Sequence, residues 1–554
     1  MRILGVNALF HDPSAALVVD GKVVAAAEEE RFSRRKHGKR PVPFAAWELP
    51  EQAMRWCLHE AGLEPQDLDA VGYSFDPALA KPAEDLGLDD PWDHLRRMYA
   101  ESAPGFLASA LPGLDRERVR FVPHHVAHAA SAALAAPAAA AEGSTSVLVL
   151  DGRGESASHL AGRYDHGHLE VLAAQSLPHS LGLLYESLTE HLGFLRSSDE
   201  FKVMALASYG KPVHLEQLRE TITTTPDGGF LAPVPDWSAF APRRAGGETD
   251  WPSAYADLAC SVQARLEEVL VELASWLHQQ TGDRVLTMAG GTALNCVANS
   301  RIWRETPFEE VWVQPAAGDA GTALGAALQL AAEDGEPVEP MTDAGLGRGW
   351  ADDELAGWLR AAAVPFTTPA DLAGEVADVL AADGVVAWFD GRSEFGPRAL
   401  GQRSLMAHPG LKSNIERLNA VKGREQFRPV APMVLADRAA DLFSDGPLPS
   451  PYMLFVHTVA PQWRDRIPAV VHVDGTARIQ TIDEAHTPRV AALLRAFEAR
   501  TGLPVVVNTS LNTAGRPMVD DPRDALELFG SSPVDVLVLG PHLVRRTTLF
   551  GGRR

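Results

Sequence analysis

The sequence predicts a mixed α/β protein: a duplicated α/β domain followed by a smaller α/β domain. Three observations predict it. A strand–loop–hairpin pattern occurs near residues 2–27 and again near residues 146–172. Helical stretches follow each copy. A Pro-, Gly- and acid-rich stretch at residues 333–349 then divides the chain, and strands alternate with helices beyond it.

Residues 2–7 alternate little in polarity and read as a buried strand. Residues 15–19 and 22–27 are apolar runs joined by Asp20-Gly21, a strong hairpin signal. Phe10-His11-Asp12-Pro13-Ser14 is the polar loop before them. In the second copy, residues 146–150 are a strand and Asp151-Gly152-Arg153-Gly154-Glu155 a Gly-rich acidic loop. Strands at 159–164 and 169–172 flank the turn Asp165-His166-Gly167-His168. Pattern repeats here rather than sequence. Two such copies suggest the layout of the actin-like ATPase and sugar-kinase superfold, with a nucleotide between its halves. Helical patterns cover residues 50–61, 255–279 and 320–332, and strands are expected at 385–389, 453–457 and 505–507. The domains are expected at residues 1–345 and 346–554.

With 73 Asp and Glu against 50 Lys and Arg, the net charge is −23, and 46% of residues are hydrophobic. A sizeable core is affordable. A negative surface opposes broad binding to nucleic acid or anionic membrane, so neither partner is expected. Three cysteines without CxxC spacing argue against a thiolate zinc site or a disulfide framework. No signal-peptide run or apolar span is present, so a soluble cytoplasmic protein is expected, with a homodimer plausible on general frequency.

Four groups of residues carry chemistry. The first is Pro123-His124-His125-Val126-Ala127-His128. His124 and His128 are four apart, which on a helix sets both imidazoles on one face, as two ligands of one metal require. His125 with His128 is the other possible pair. Asp151 and Asp319 each follow an apolar strand in a Gly-rich loop and are candidate partners. Two His and two Asp make a mixed N/O site that suits iron, manganese or zinc. The second group is the glycine loops, Gly290-Gly291-Thr292 through Asn295 and Gly318-Asp319-Ala320-Gly321, where backbone approaches a phosphate or ribose. The third is residues 391–428, with eight basic against three acidic residues, a local excess of five inside an acidic protein. Arg398, Lys422 and Arg428 lie there among Gly, Pro and aromatic residues, which suits an anion pocket. Asn508 and Ser510 end a β-branched strand, where α/β proteins usually bind ligands. Last, His11 in the first loop could act as a base oriented by Asp12.

Long stretches carry a resemblance. They are His11-Asp12-Pro13-Ser14-Ala15-Ala16, Glu29-Glu30-Arg31-Phe32, Lys36-His37, His124 through Ser131, Lys202 through Gly210 and Gly290 through Asn299. Glu394 through Gly401, Phe427 through Pro432, His472 through Thr476 and Asn508-Thr509-Ser510 complete the set. In this order they resemble the NodU/CmcH family of ATP-dependent O-carbamoyltransferases over nearly the whole length. Thr292 replaces the usual valine and Gln402 the usual asparagine. The resemblance implies a TsaD-like, actin-like N-terminal domain and a YrdC-like C-terminal domain. The latter would make carbamoyladenylate from carbamoyl phosphate and ATP, with magnesium, and the former would pass the carbamoyl group to a hydroxyl. It implies iron(II), or alternatively manganese or zinc, on His124, His128, Asp151 and Asp319, and His11 as the base. Gly290, Gly291 and Asn295 would hold carbamoyladenylate. Arg398, Lys422, Arg428, Arg478, Asn508 and Ser510 would form the ATP and carbamoyl phosphate site. The acceptor would be a small-molecule hydroxyl, such as a sugar hydroxyl of an aminoglycoside, macrolide or nodulation factor. The basic run at residues 31–40 could border its pocket. The alternatives are threonylcarbamoyl transfer to tRNA and a non-catalytic nucleotide-binding scaffold.

Overall fold

The computed structural model describes residues 1–38, 48–245, 247, 251–549 and 551. Lys39 and Arg40 of the basic run lie outside the described residues. The chain divides into two compact units, Met1–Thr342 and Asp343–Arg554; the sequence placed the break after residue 345.

Unit 1 holds two five-stranded sheets. The first contains β1 (Arg2–Asn7), β2 (Ser14–Val19), β3 (Lys22–Glu28), β4 (Ala70–Tyr73) and β5 (Val119–Phe121), ordered β3-β2-β1-β4-β5. The second contains β6 (Ser144–Leu150), β7 (Ala157–Asp165), β8 (His168–Ser176), β9 (Val285–Ala289) and β10 (Glu310–Val313), ordered β8-β7-β6-β9-β10. The two orders are the same. In each, the first three strands form an antiparallel meander and the fourth and fifth add in parallel to the first. The hairpin turns match as well. Asp20-Gly21 has φ of 51° and 76°, and His166-Gly167 has 47° and 84°, the paired left-handed residues that suit a two-residue hairpin. Duplication is therefore written in topology and turn chemistry.

The helices of unit 1 that shape the site are α1 (His124–Ala133), α2 (Ser253–Thr281), α3 (Cys296–Glu305) and α4 (Ala320–Glu333). α4 is rich in Ala and Gly and almost wholly buried, packing on β1, β2, β4 and α1. Its small residues allow this approach. A Cβ on Gly325 would stand 1.7 Å from the Ala127 carbonyl oxygen of α1. Any side chain there would push α1 and α4 apart, and with them the residues at their N-terminal ends.

Unit 2 is built on one seven-stranded mixed sheet. Its strands are β11 (Val386–Phe389), β12 (Arg403–Ala407), β13 (Ala431–Leu435), β14 (Gln480–Ile482), β15 (Val505–Ser510), β16 (Val536–Leu539) and β17 (His542–Arg545). They are ordered β14-β13-β15-β12-β11-β16-β17. A continuous apolar core around Trp388, Phe389 and Phe497 covers the sheet. Helix α5 (Ser413–Lys422) ends at Gly423 in the left-handed conformation, a standard helix stop. The strand expected at residues 453–457 does not form; the strand there is His457–Val459. Met453 has φ of 56°, which breaks an extended run whatever its hydrophobicity. No described helix is long and apolar enough to cross a membrane.

Candidate functional site

His124 opens α1 and His128 follows one turn later, so the helix itself aligns the two rings. Asp151 follows β6 and Asp319 immediately precedes α4. All four side chains are buried. One donor atom from each lies within 4.8 Å of every other. The His124 Nε2 atom is 3.4 Å from Asp151 Oδ2 and 3.6 Å from Asp319 Oδ1. The His128 Nε2 atom is 3.9 Å and 3.6 Å from the same two oxygens.

These separations are too long for hydrogen bonds. They are close to the edges of a coordination polyhedron, since donors at about 2.1 Å from a cation stand roughly 3.0–3.4 Å apart. The orphaned atoms say the same. The Nε2 atoms of His124 and His128 and both Asp319 oxygens are buried without a hydrogen-bond partner. Asp319 stands where a helix-capping aspartate would stand, yet its side chain makes no capping hydrogen bond. Leaving buried polar atoms unpaired costs about 1–3 kcal/mol each unless something else satisfies them. A divalent cation would.

Neighbouring groups fix the donors. His124 Nδ1 donates to the Ser74 carbonyl at 3.1 Å, which directs the Nε2 lone pair into the cluster. Glu155 accepts from the His124 main-chain N–H at 2.7 Å and from Asp76 N–H at 2.9 Å. Phe10 packs edge-on against the His124 ring. Asp151 Oδ1 accepts from Gly291 N–H at 3.1 Å, leaving Oδ2 toward the histidines. Of these, Glu155 lay in the Gly-rich loop singled out above. Ser74 follows a plain apolar strand and had no signal in the sequence.

Between the two pairings left open, the geometry favours His124 with His128. His125 Nε2 reaches only Asp151, at 3.9 Å. His11 stands beside the cluster, its Nε2 3.6 Å from Asp319 Oδ2 and its Nδ1 donating to Asp12 at 2.9 Å. Burial opposes charge throughout. At His124 the Asp319 and Asp151 carboxylates outweigh it, so its pKa lies well above the usual histidine range. At His128 burial dominates and the pKa falls. Burial raises both aspartates, but the imidazoles outweigh it, His124 first at Asp151 and His11 first at Asp319, and both lie below the usual range.

This sets the sign of a pH effect. A raised pKa keeps His124 protonated in the metal-free protein near neutral pH, so proton and cation compete for Nε2. Cation affinity is expected to rise about tenfold per pH unit until that proton is gone. Titration calorimetry with manganese(II) in buffers of different ionisation enthalpy should record close to one proton released per ion. Binding heats independent of the buffer would contradict it.

Gly290 and Gly291 lie beside Asp151. Gly290 has φ of 92°, and a Cβ on it would sit 2.2 Å from the Leu150 carbonyl oxygen, so the loop touches the end of β6. Asn295 is engaged in structure on both sides of its amide. Its oxygen caps α3 at Ala298 N–H, 3.2 Å, and its nitrogen donates to Gln263 at 2.9 Å.

In unit 2, Lys422 at the end of α5 is buried, and its ammonium lies among oxygens of the loop after β15. It donates to Ser510 Oγ at 3.0 Å, Asn512 Oδ1 at 2.6 Å, Asn512 O at 3.1 Å and the Ser510 carbonyl. Lys422, Ser510 and the end of β15 therefore form one cluster. Asn508 donates to Ala399 O at 3.0 Å and Gln480 at 2.7 Å, while its own oxygen is buried without a partner. That ties it to the loop bearing Arg398. Arg428 lies 3.7 Å from Glu425. Burial and the nearby guanidiniums of Arg428 and Arg478 push Arg424 down to about 9, which places three arginines together.

The local excess of five positive charges does not all face one pocket. Arg403 is fully buried and donates to the carbonyls of Asp390, Gly391 and Arg348. Arg417 pairs with Asp535 at 3.1 Å, and Arg392 donates to Leu346 and Gly347. A charge tally counts residues and ignores where side chains point.

A family model described as the carbamoyltransferase N-terminus matches residues 2–81, 94–230 and 241–328, and one described as the carbamoyltransferase C-terminus matches residues 377–546. The chain is 34% identical to the Synechocystis protein sll1178, over 99% of this chain and 97% of that protein. It is 35% identical to the nodulation protein NolNO of Sinorhizobium fredii, over 98% of this chain and 80% of that one. Nodulation protein U of Rhizobium tropici is 31% identical over 95% and 93% of the two chains. The chain belongs to the carbamoyltransferase family.

Proposed function

We propose that the protein is an ATP-dependent O-carbamoyltransferase whose acceptor is a hydroxyl of a small-molecule natural product, a sugar hydroxyl of an antibiotic being favoured. Unit 2, YrdC-like on this reading, takes carbamoyl phosphate, ATP with its magnesium, and water, and gives carbamoyladenylate, phosphate and pyrophosphate. Unit 1, actin-like on this reading, performs the transfer. The acceptor oxygen bonds to the carbamoyl carbon, the bond from that carbon to the phosphate oxygen breaks, and AMP leaves. His11 Nε2 takes the hydroxyl proton while Asp12 holds the Nδ1 proton on the far side of the ring. Gly290 and Gly291 let backbone come close to the adenylate. Arg398, Arg428 and Arg478 supply the positive charge that two polyanionic substrates need, and Lys422 shapes the Ser510–Asn512 loop.

The observation that carries this reading is the convergence of four buried donors on one point in a chain of this family. His124, His128, Asp151 and Asp319 would hold iron(II), with manganese or zinc the alternatives, and the cation would supply Lewis-acid polarisation of the carbamoyl oxygen or an anchor for the adenylate phosphate.

An acceptor screen tests it. The protein is incubated with ATP, carbamoyl phosphate and a panel of hydroxylated natural products, with tRNA alongside, and products are scored by a carbamoyl mass shift. Product on a small molecule is expected. Product on tRNA alone would favour threonylcarbamoyl-type transfer, which the charge of −23 opposes. Absence of pyrophosphate release from ATP and carbamoyl phosphate would favour a nucleotide-binding scaffold.

A further inference from the structure

Between the first loop and the segment after β3, two histidines share one carboxylate. His11 Nδ1 lies 2.9 Å from Asp12 Oδ2, and His37 Nδ1 lies 2.7 Å from Asp12 Oδ1. An ionised carboxylate only accepts, so both imidazoles donate through Nδ1. That fixes the tautomer of a neutral His11: its Nδ1 carries the proton, and its Nε2 lone pair faces the Asp319 side of the metal centre, 3.6 Å from Asp319 Oδ2.

The backbone is held to this purpose. Asp12 has φ of 49° and His37 φ of 60°, the left-handed region that Asp and His enter more readily than most residues other than glycine. Specific hydrogen bonds hold this conformation. Asn7 Nδ2 donates to the His11 carbonyl at 2.9 Å and the Asp12 carbonyl at 3.0 Å. Asp12 N–H donates to the His37 carbonyl at 3.2 Å, and His37 N–H donates to Glu30 at 2.8 Å. Asp12, Glu30 and His37 also lie close enough to suggest a second cation site. The 2.7 Å contact argues against it, because two ligands of one cation stand about 3 Å apart or more. It is a hydrogen bond.

We infer that His37 is a positioning residue for the transfer step: its Nδ1–H holds the Asp12 carboxylate in the orientation that fixes the tautomer and aim of His11. The inference rests on the proposed role of His11 as the base, but its test does not require turnover. Without His37, one Asp12 oxygen loses its donor and the carboxylate is free to turn, so His11 loses its fixed partner.

The probe is diethyl pyrocarbonate, which acylates an imidazole through its unprotonated nitrogen. The rate at His11 is followed by peptide mass spectrometry, with exposed His166 as internal reference. His37→Ala is expected to slow modification of His11 about tenfold. His37→Asn, whose amide nitrogen can stand where Nδ1 stood, is expected to restore most of it. An unchanged rate in His37→Ala would overturn the inference. So would equal slowing in both variants, which would mean loop damage rather than a lost donor. If His37→Ala does not fold, proton NMR of the wild-type protein decides. Among the downfield imidazole N–H resonances, one is expected to vanish in His37→Asn and a different one in His11→Asn; a spectrum from which His37→Asn removes none would overturn the inference. A protein that gave these results but no carbamoyl product would refute the proposed function and leave the positioning role intact.

Discussion

Asp319→Ala is expected to lose its bound cation and lower carbamoyl transfer about a thousandfold, while pyrophosphate release from ATP and carbamoyl phosphate continues. Both Asp319 oxygens are buried and unpaired, one 3.6 Å from the Nε2 atoms of His124 and His128 and the other 3.6 Å from that of His11. The carboxylate thus stands between the candidate metal donors and His11, the proposed base. Its removal takes away a ligand and a negative charge from a buried site where screening by water is weak. The loss matches the scale of deleting one preorganised electrostatic group from a reaction centre. Metal content per chain by plasma mass spectrometry checks the first half, and a rate assay of each partial reaction the second. A variant that keeps its cation would remove Asp319 from the ligand set.

Lys422→Ala is expected to abolish adenylate formation and also to destabilise unit 2 by about 3 kcal/mol, because the buried ammonium makes charge-assisted hydrogen bonds, worth about 1.5–3 kcal/mol, to the half-buried Ser510 and Asn512 oxygens. For a domain of this size that lowers Tm by roughly 6–12 °C. The sequence alone marked Lys422 as a charge for phosphate. In the fold its ammonium also gathers the Ser510 and Asn512 oxygens. Lys422→Arg is not expected to rescue either effect, since a planar guanidinium does not fit a compact cage built for an ammonium. Thermal unfolding and pyrophosphate release measure the two effects. Full adenylation in Lys422→Ala would show that the cluster is structural only.

The parts of this molecule that were legible in the sequence are those governed by short-range rules. Asp20-Gly21 and His166-Gly167 specify tight turns locally, and the paired hairpins follow. His124 and His128 share a face because a helix has a fixed period, and Asp151 and Asp319 end up near them because both follow the C-terminal ends of parallel strands of the second sheet, β6 and β10. What depends on three-dimensional packing was not legible. Met453 reads as apolar strand, and only its left-handed φ shows the break. Arg403 reads as one more cation of a basic segment, yet it is sealed in the core and spent on backbone carbonyls. Asn295 reads as a polar group beside a glycine loop, and the fold uses it as a helix cap. The link from His37 to Asp12 joins residues 25 positions apart through their side chains, which no motif spacing encodes.

The central claim is that adenylation and transfer use different residues, with His11 serving only the second. His11→Asn tests it most directly. The variant is mixed with ATP and radiolabelled carbamoyl phosphate, the reaction is quenched within the first turnovers, and carbamoyladenylate is separated and counted. Formation of the labelled intermediate at close to the wild-type rate, with no carbamoylated acceptor following, is the predicted result. Loss of the intermediate itself would contradict the account.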